Sequence, residues 1–237
     1  MNFLAIVQRL ALEASIAIPG STVAQTGSAQ RVVTWANSAW QDIQTMRDDW
    51  DWMRSSAILG KGCSFAPVAG QKSFPLGTTA GTTCGVDPTL FGKWAEWTFR
   101  IYTTSVGITS ETRLDRVDFD VWRESYMYGA NQLVQTRPVA IAFGPDKSLC
   151  LGPTSNGTFT AYGDYFVAPT SMAADADIPF GIPPQYHMGI VWKALIDYGG
   201  YESAPEALAR ADLHWTKMRA ELMRNNAPRI TTGRALA

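Results

Sequence analysis

Apolar residues recur at helical spacing in the first part of the chain, in two separate stripes. The first stripe, which Asn2 is placed to cap and Pro19-Gly20 to end, contains Phe3, Ile6, Val7, Leu10 and Ala14. The second stripe predicts a helix from about Ser28 to Arg54 and contains Val32, Ala36, Ala39, Trp40, Ile43, Met46, Trp50 and Met53. Each stripe covers one face only, so each helix needs a partner. Residues 1–54 are therefore predicted to form a helical pair.

Residues 55–183 change to short apolar and polar alternations between Gly, Pro and Thr, a pattern typical of strands and turns. The predicted strands are 72–76, 98–102, 113–121, 138–143, 148–151, 158–162 and 165–167. Gly144-Pro145-Asp146-Lys147 predicts a hairpin turn between two of them, and Gly163-Asp164 predicts a second. This region is predicted to be an inserted antiparallel β domain.

Helical spacing returns in residues 184–226. Pro183-Pro184 opens a predicted helix that Gly199-Gly200 closes, and Ser203 with Glu206 forms a predicted capping box for the last helix. The stripe of the last helix contains Leu208, Ala211, Trp215, Met218 and Leu222. This second pair is expected to pack on residues 1–54 as a four-helix unit, giving an α+β fold. Residues 227–237 have no apolar period and are predicted to form a flexible C-terminal tail.

Composition excludes several classes of protein. The chain has 237 residues, of which 46% are hydrophobic, which is enough for a sizeable core. Its net charge of −1 lacks the basic excess of a protein that binds DNA through the phosphates. The three cysteines, Cys63, Cys84 and Cys150, are far apart and fit reduced thiols. Arg9 and Glu13 interrupt the apolar N-terminal segment, which argues against a signal peptide and a membrane span.

No residue pattern indicates catalysis, so the chain is predicted not to be an enzyme and to have no catalytic, cofactor-binding or metal-binding residues. His187 and His214 are far apart, and no zinc, phosphate-loop or nucleophile-elbow motif accompanies them. Asp48, Asp49 and Asp51 lie among tryptophans, as the paired carboxylates of a glycoside hydrolase can. Their position at a predicted helix end favours a solvated or interface-facing turn instead.

The chain has nine tryptophans, and they support two interpretations. Trp94, Trp97 and Trp122 are candidates for an aromatic platform, which makes a carbohydrate-binding module of a tail or cell-wall protein the alternative function. The other interpretation places tryptophans in a core or a subunit interface. Trp40, Trp50 and Trp215 lie on the helical stripes and are the candidates for that role.

Both helical ends resemble phage head-to-tail adaptor proteins. The resemblance rests on FLAIVQRL at 3–10, VVTWANSAWQDIQ at 32–44, DDWDWM at 48–53, PPQYH at 183–187 and the closing helix 204–226. It also covers the order of elements, which is helix pair, β insertion, helix pair. The β region carries no matching motif.

The resemblance implies a structural protein of the virion head–tail junction, assembled in the host cytoplasm. It implies a homo-oligomeric ring, commonly a dodecamer, that contacts the phage portal protein and a downstream tail or nozzle protein. DNA would pass through its channel without sequence-specific binding, and neither a cofactor nor a membrane is implied. Arg224, Arg229 and Arg234, spaced by five residues, together with Ile230, are the hypothesised portal-binding residues, since they offer charge and a small apolar anchor.

Overall fold

A computed structural model describes residues 1–226 and divides the chain into two compact units. The helical unit comprises Met1–Met53 and the chain from Pro169 onward, and the β unit comprises Arg54–Ala168. The helices are α1 (Phe3–Glu13), α2 (Gly27–Thr45), α3 (Phe119–Tyr126), α4 (His187–Tyr201) and α5 (Pro205–Asn226). The predicted α+β class, with helices at both ends of the sequence and a β region between them, is confirmed. The predicted tail 227–237 lies outside the described residues.

The helical unit is built around α4, which contacts α1, α2 and α5. The Asn2 side chain accepts a hydrogen bond from the Ala5 amide and caps α1, as predicted. The apolar faces of the four helices supply the core, whose fully buried members include Phe3, Ile6, Leu10, Trp40, Ile43, Ile190 and Leu195. Each helical pair has only one apolar face, so that face is removed from water only when the two pairs pack on each other.

Helix α2 ends at Thr45, well before the predicted end at Arg54. The chain forms only a 3-10 turn at Asp51–Met53. Trp50 is fully buried, and its indole nitrogen donates to the Ile43 carbonyl at 3.0 Å. That carbonyl belongs to the last turn of α2, where no amide of the helix remains to pair with it. The chain folds back after α2, and Trp50 covers the C-terminal end of that helix. The apolar spacing therefore extends beyond the last residue of the helix.

The segment from Pro169 to Ile182 belongs to the helical unit, whereas the sequence places it in the β domain. Two amide side chains of α2 hold it. Asn37 exchanges a pair of hydrogen bonds with the backbone of Met172, at 2.8 and 2.9 Å, and Gln44 does the same with Thr170 at the same distances. These side chains satisfy backbone groups of a segment that pairs with no strand of the described residues.

Gly199-Gly200 does not end α4, which continues to Tyr201. Gly199 instead allows close packing, because a Cβ atom there would lie 2.9 Å from Cβ of Leu208 on α5. The predicted capping box is also wrong. Helix α5 begins at Pro205, and Ser203 has φ 53°, outside the extended conformation of an N-cap residue.

The β unit contains three small sheets. Their strands are β1 (Arg54–Ser55), β2 (Cys63–Phe65), β3 (Ser73–Phe74), β4 (Phe91–Trp94), β5 (Arg100–Thr103), β6 (Thr112–Arg113), β7 (Asp115–Arg116), β8 (Ala140–Phe143), β9 (Leu149–Gly152), β10 (Phe159–Gly163) and β11 (Tyr165–Val167). The strand orders are β1-β11-β4, β2-β10-β5-β6 and β3-β9-β8-β7. All pairs are antiparallel except β7 with β8.

Two predicted strand arrangements have different outcomes. The hairpin across Gly144–Lys147 is confirmed, since β8 pairs antiparallel with β9. The hairpin across Gly163-Asp164 is wrong, because β10 pairs with β2 and β5 whereas β11 pairs with β1 and β4. The chain passes from one sheet to another at Asp164, so these two strands do not face each other.

The predicted strand 113–121 is only partly a strand. It gives β6 and β7 and then helix α3 from Phe119. The alternation of Leu114, Val117 and Phe119 fits a strand, but Trp122 is buried one helical turn after Asp118, against Ala142 and Cys150 of the neighbouring sheet. Burial of this large ring against the sheet outweighs the alternating pattern.

Candidate assembly surfaces

The three tryptophans proposed for a core or subunit interface are buried within a single chain. Trp40 and Trp50 have no exposed surface, and Trp215 is 7% exposed. The ring of Trp52 stacks on both Trp40 and Trp50, with centroid distances of 5.6 and 5.9 Å. Trp215 lies on α5 against Gly189 of α4. These side chains therefore fill the helical unit.

The acidic segment 48–51, beside these tryptophans, forms an ion pair with a neighbouring arginine. Arg47 binds Asp49 through two hydrogen bonds of 2.7 and 2.8 Å, and this pair raises the pKa of Arg47. Arg54, the next arginine along the chain, instead pairs with Asp164. Asp51 lies exposed on the 3-10 turn. The segment is a charged turn that follows α2, three residues beyond the end of the helix at Thr45.

The predicted aromatic platform does not form. Trp94 and Trp122 are buried in different clusters of the β unit, at 7% and 3% exposure. The Trp94 indole donates to the Lys147 carbonyl at 2.8 Å. Trp97 is 64% exposed, and the guanidinium groups of Arg113 and Arg116 lie 5.6 and 5.8 Å from its ring. Of the three predicted rings only Trp97 is exposed, and it is flanked by two arginines, so the three do not form a shared stacking surface.

The two histidines occupy separate structural positions. His187 is 2% exposed, Nε2 lies 3.3 Å from the Ile182 carbonyl, and burial lowers the pKa of its imidazole. His214 stacks on Trp192 with the ring centroids 4.6 Å apart. Residues 1–226 bring together no cluster of His, Cys, Asp and Glu suited to a metal ion. Within the same residues, no helix has the length and hydrophobicity to cross a membrane.

The hypothesised portal-binding residues fall mostly beyond the described part of the chain. Arg224 is exposed in the last turn of α5, where a cation is favoured by the helix dipole. Next to it, the Asn225 amide donates to the Tyr186 hydroxyl at 2.8 Å and holds this turn of α5. Arg229, Ile230 and Arg234 lie outside the described residues.

An apolar groove lies on the β unit that the sequence did not indicate. It has a volume of about 540 Å³ and is lined by Ala57, Ile58, Ser64, Arg100, Tyr102, Ile108, Glu111 and Tyr162. Its floor is one face of the β2-β10-β5-β6 sheet, since the strand register aligns Tyr162 with both Ser64 and Arg100. Its walls are the 3-10 turns Ala57–Leu59 and Ile108–Ser110. Ile58 and Ile108 are 81% and 71% exposed.

Large exposed apolar side chains also occur elsewhere on both units. On the helical unit they include Leu12, Ile18, Val23, Ile178 and Leu213, and on the β unit Leu59, Val106, Val121, Tyr128, Leu133 and Val139. Exposed apolar side chains scattered in this way are common on protein surfaces, whereas the groove gathers several lining side chains in one concave site. The groove is therefore a candidate surface for subunit or partner contacts.

Comparisons with known proteins agree with this interpretation. A protein-family model described as SU10 adaptor protein matches residues 1–235. No curated protein matches the chain. The family match spans both units and nearly the whole sequence. The chain therefore belongs to the SU10 adaptor protein family, a family of structural head-to-tail adaptors of bacteriophage virions.

Proposed function

We propose that this adaptor assembles as a homo-oligomeric ring, commonly a dodecamer in such adaptors, beneath the portal and around the DNA channel. The observation that carries the proposal is the family match over residues 1–235. Family membership itself implies a position at the virion neck and association with portal and tail proteins. Beyond family membership, we propose a ring of defined copy number. Its role is to continue the channel from the portal to a downstream tail or nozzle protein.

Two properties of the chain support a ring around DNA. The exposed apolar side chains on both units provide surface for neighbouring copies. The net charge of −1 suits a channel wall along which DNA slides, because a strongly basic wall would hold the phosphates. No catalytic step is needed for this role, and the proposal assigns none.

The ring is tested with the full chain and purified portal. Native mass spectrometry and negative-stain electron microscopy are expected to show a closed oligomer, either alone or on the portal, and the protein is expected in purified virions. A chain that stays monomeric with portal present and is absent from particles would contradict the proposal.

We further propose that the C-terminal tail contributes to portal binding. Arg224, Arg229 and Arg234 offer guanidinium groups to carboxylates of the partner, and Ile230 offers an apolar anchor. Binding per tail is expected to be weak, because ordering a peptide costs entropy, and a ring presenting many tails recovers affinity through avidity.

Truncation after Asn226 is expected to reduce cosedimentation with portal by about tenfold or more. The paired substitution Arg229→Ala with Arg234→Ala is expected to have a similar but smaller effect. The matched control, Thr231→Ala with Thr232→Ala, keeps both charges and should bind as the unaltered chain does. Portal binding that is unchanged by the truncation would remove the tail from the contact.

A further inference from the structure

The groove on the β unit has the properties of a docking site. Its walls expose Ile58 and Ile108 at 81% and 71%, although leaving an apolar side chain in water costs free energy relative to burying it. Its floor carries Tyr102 and Tyr162, whose rings lie 6.0 Å apart. Two apolar walls over an aromatic floor form a concave surface that an apolar side chain can fill.

The charges inside the groove are already paired with each other. Arg100 forms an ion pair with Glu111, and the Tyr162 hydroxyl donates to the same carboxylate. The hydrogen bond from Tyr162, together with Arg100, holds the pKa of Glu111 below its usual value. Burial and this hydrogen bond raise the pKa of Tyr162 to about 12. The groove therefore offers no open charge to a charged partner, and an uncharged occupant fits it better.

The β unit also carries a segment with matching chemistry. Residues 125–136 contain no charged side chain, and residues 128–136 are exposed throughout. Within this segment Leu133 is 79% exposed, Tyr128 55% and Val134 43%. No residue of this segment lines the groove of its own chain. We call it the 128–136 arm.

Hydrogen bonds at its base hold the arm in place. The Thr136 amide donates to the Thr154 carbonyl at 2.9 Å, and the Thr154 hydroxyl donates to the Val134 carbonyl at 2.7 Å. Asn131 donates to the Ser125 carbonyl at 3.1 Å. An arm that is already shaped in the free chain loses less conformational entropy on binding.

We propose that the groove of one copy receives the 128–136 arm of the next copy, with Leu133 between the walls formed by Ile58 and Ile108. The inference rests on the proposed ring and names the contact that would close it. Two different surfaces of the same unit meet in this contact, so it is heterologous, and heterologous contacts generate rings when the rotation closes. The two charged residues that line the groove are paired with each other and the arm carries none, so the contact would bury apolar surface without burying an unpaired charge.

Substitution of either surface tests the contact in the full chain. Ile108→Lys and Leu133→Glu are each expected to raise the concentration at which half of the protein is oligomeric by about tenfold or more. Combining them places opposite charges across the contact and is expected to restore much of the assembly. The matched control is Leu90→Lys, at an exposed residue of the β unit that does not line the groove, and it should assemble normally.

Disulfide cross-linking tests the contact whether or not the ring closes. A chain with Ile108→Cys and Leu133→Cys is expected to form disulfide-linked multimers on oxidation, whereas one with Leu90→Cys and Leu133→Cys is not. The natural cysteines are buried, so they should not contribute.

The outcomes separate the inference from the proposed function. If the unaltered chain forms rings and both single variants still assemble, the groove contact is wrong while the ring stands. If both single variants fail to assemble, the double variant does not regain assembly and no cross-link forms, the two surfaces do not meet. The inference is then also wrong. If cross-linked multimers form but no closed ring is ever seen, the contact stands and the ring is wrong.

Discussion

Trp215→Ala is expected to lower the free energy of unfolding of the helical unit by about 3–5 kcal/mol, the range for removing a buried tryptophan. The Trp215 side chain is 7% exposed and packs beside Gly189 of α4, where a Cβ atom would lie 3.5 Å from the indole ring. Gly189 has no side chain with which to fill the space that the indole would leave. A cavity would therefore remain between α4 and α5, the two helices in most extensive contact. A loss of this size is a large fraction of the stability of a typical domain.

Urea denaturation of the full chain, followed by tryptophan fluorescence and circular dichroism, measures the loss. Leu213→Ala is the matched control, because Leu213 lies on the same helix and is 70% exposed. It should change the stability by less than about 0.5 kcal/mol. The loss should not depend on protein concentration, since Trp215 is already buried within one chain. A soluble Trp215→Ala protein with an unchanged melting temperature would show that the packing of α5 on α4 is misassigned.

Local signals predicted that both ends of the sequence are helical, although they misplaced the end of α2, the stop at Gly199-Gly200 and the cap of α5. The cap at Asn2 and the spacing of the apolar residues depend on neighbours within a few positions, so the sequence alone carries them. The errors occur where a distant contact decides the outcome. Trp50 continues the apolar period of α2, yet its indole folds back onto the Ile43 carbonyl, and the sequence does not contain that geometry.

The β unit was less predictable, because its strands are short and pair across long sequence separations. Strands β10 and β11 are adjacent in sequence and separated by two residues that suit a turn, but they join different sheets. Which sheet a strand joins depends on whether β2, β4 or β5 lies beside it. The spacing of residues within the strand does not specify that neighbour.

The groove illustrates the same limit for the candidate site. Its lining residues come from two turns, from Glu111 directly after one of them, and from three strands, so no single stretch of sequence contains the pattern. Ile58 and Ile108 are ordinary apolar residues in turns until the fold places them on opposite walls. The only sequence signal is the uncharged run 125–136, and it marks the arm rather than the groove.

The crossing from β10 to β11 depends on Asp164, which the sequence suggested only as a turn residue. One carboxylate oxygen of Asp164 accepts two hydrogen bonds from Arg54, from Nε at 2.9 Å and Nη2 at 2.6 Å. The other accepts from the Ala57 amide at 2.8 Å, at the start of a groove wall. The carboxylate is 7% exposed, whereas the Arg54 side chain is 42% exposed. The buried member of this pair is therefore the acid.

This asymmetry predicts unequal effects for the two partners. Arg54→Met is expected to lower the free energy of unfolding of the β unit by about 2–4 kcal/mol, because it leaves a buried carboxylate without its counter-charge. Asp164→Asn is expected to cost about 1–2 kcal/mol, because the remaining guanidinium can be hydrated and the amide oxygen can still accept a hydrogen bond. The double variant should be no less stable than Arg54→Met alone, since it contains no unpaired buried charge.

Urea denaturation of the full chain gives these losses, and hydrogen exchange of the amides in β10 and β11 assigns them to the β unit. Arg47→Met is the matched control. Arg47 also binds a carboxylate through two hydrogen bonds, but it and Asp49 are 34% and 29% exposed, so water can replace either partner. Its cost should stay below about 1 kcal/mol. Equal losses for Arg47→Met and Arg54→Met would mean that burial of the acid does not set the cost, and that the crossing between the sheets is stabilised by other contacts.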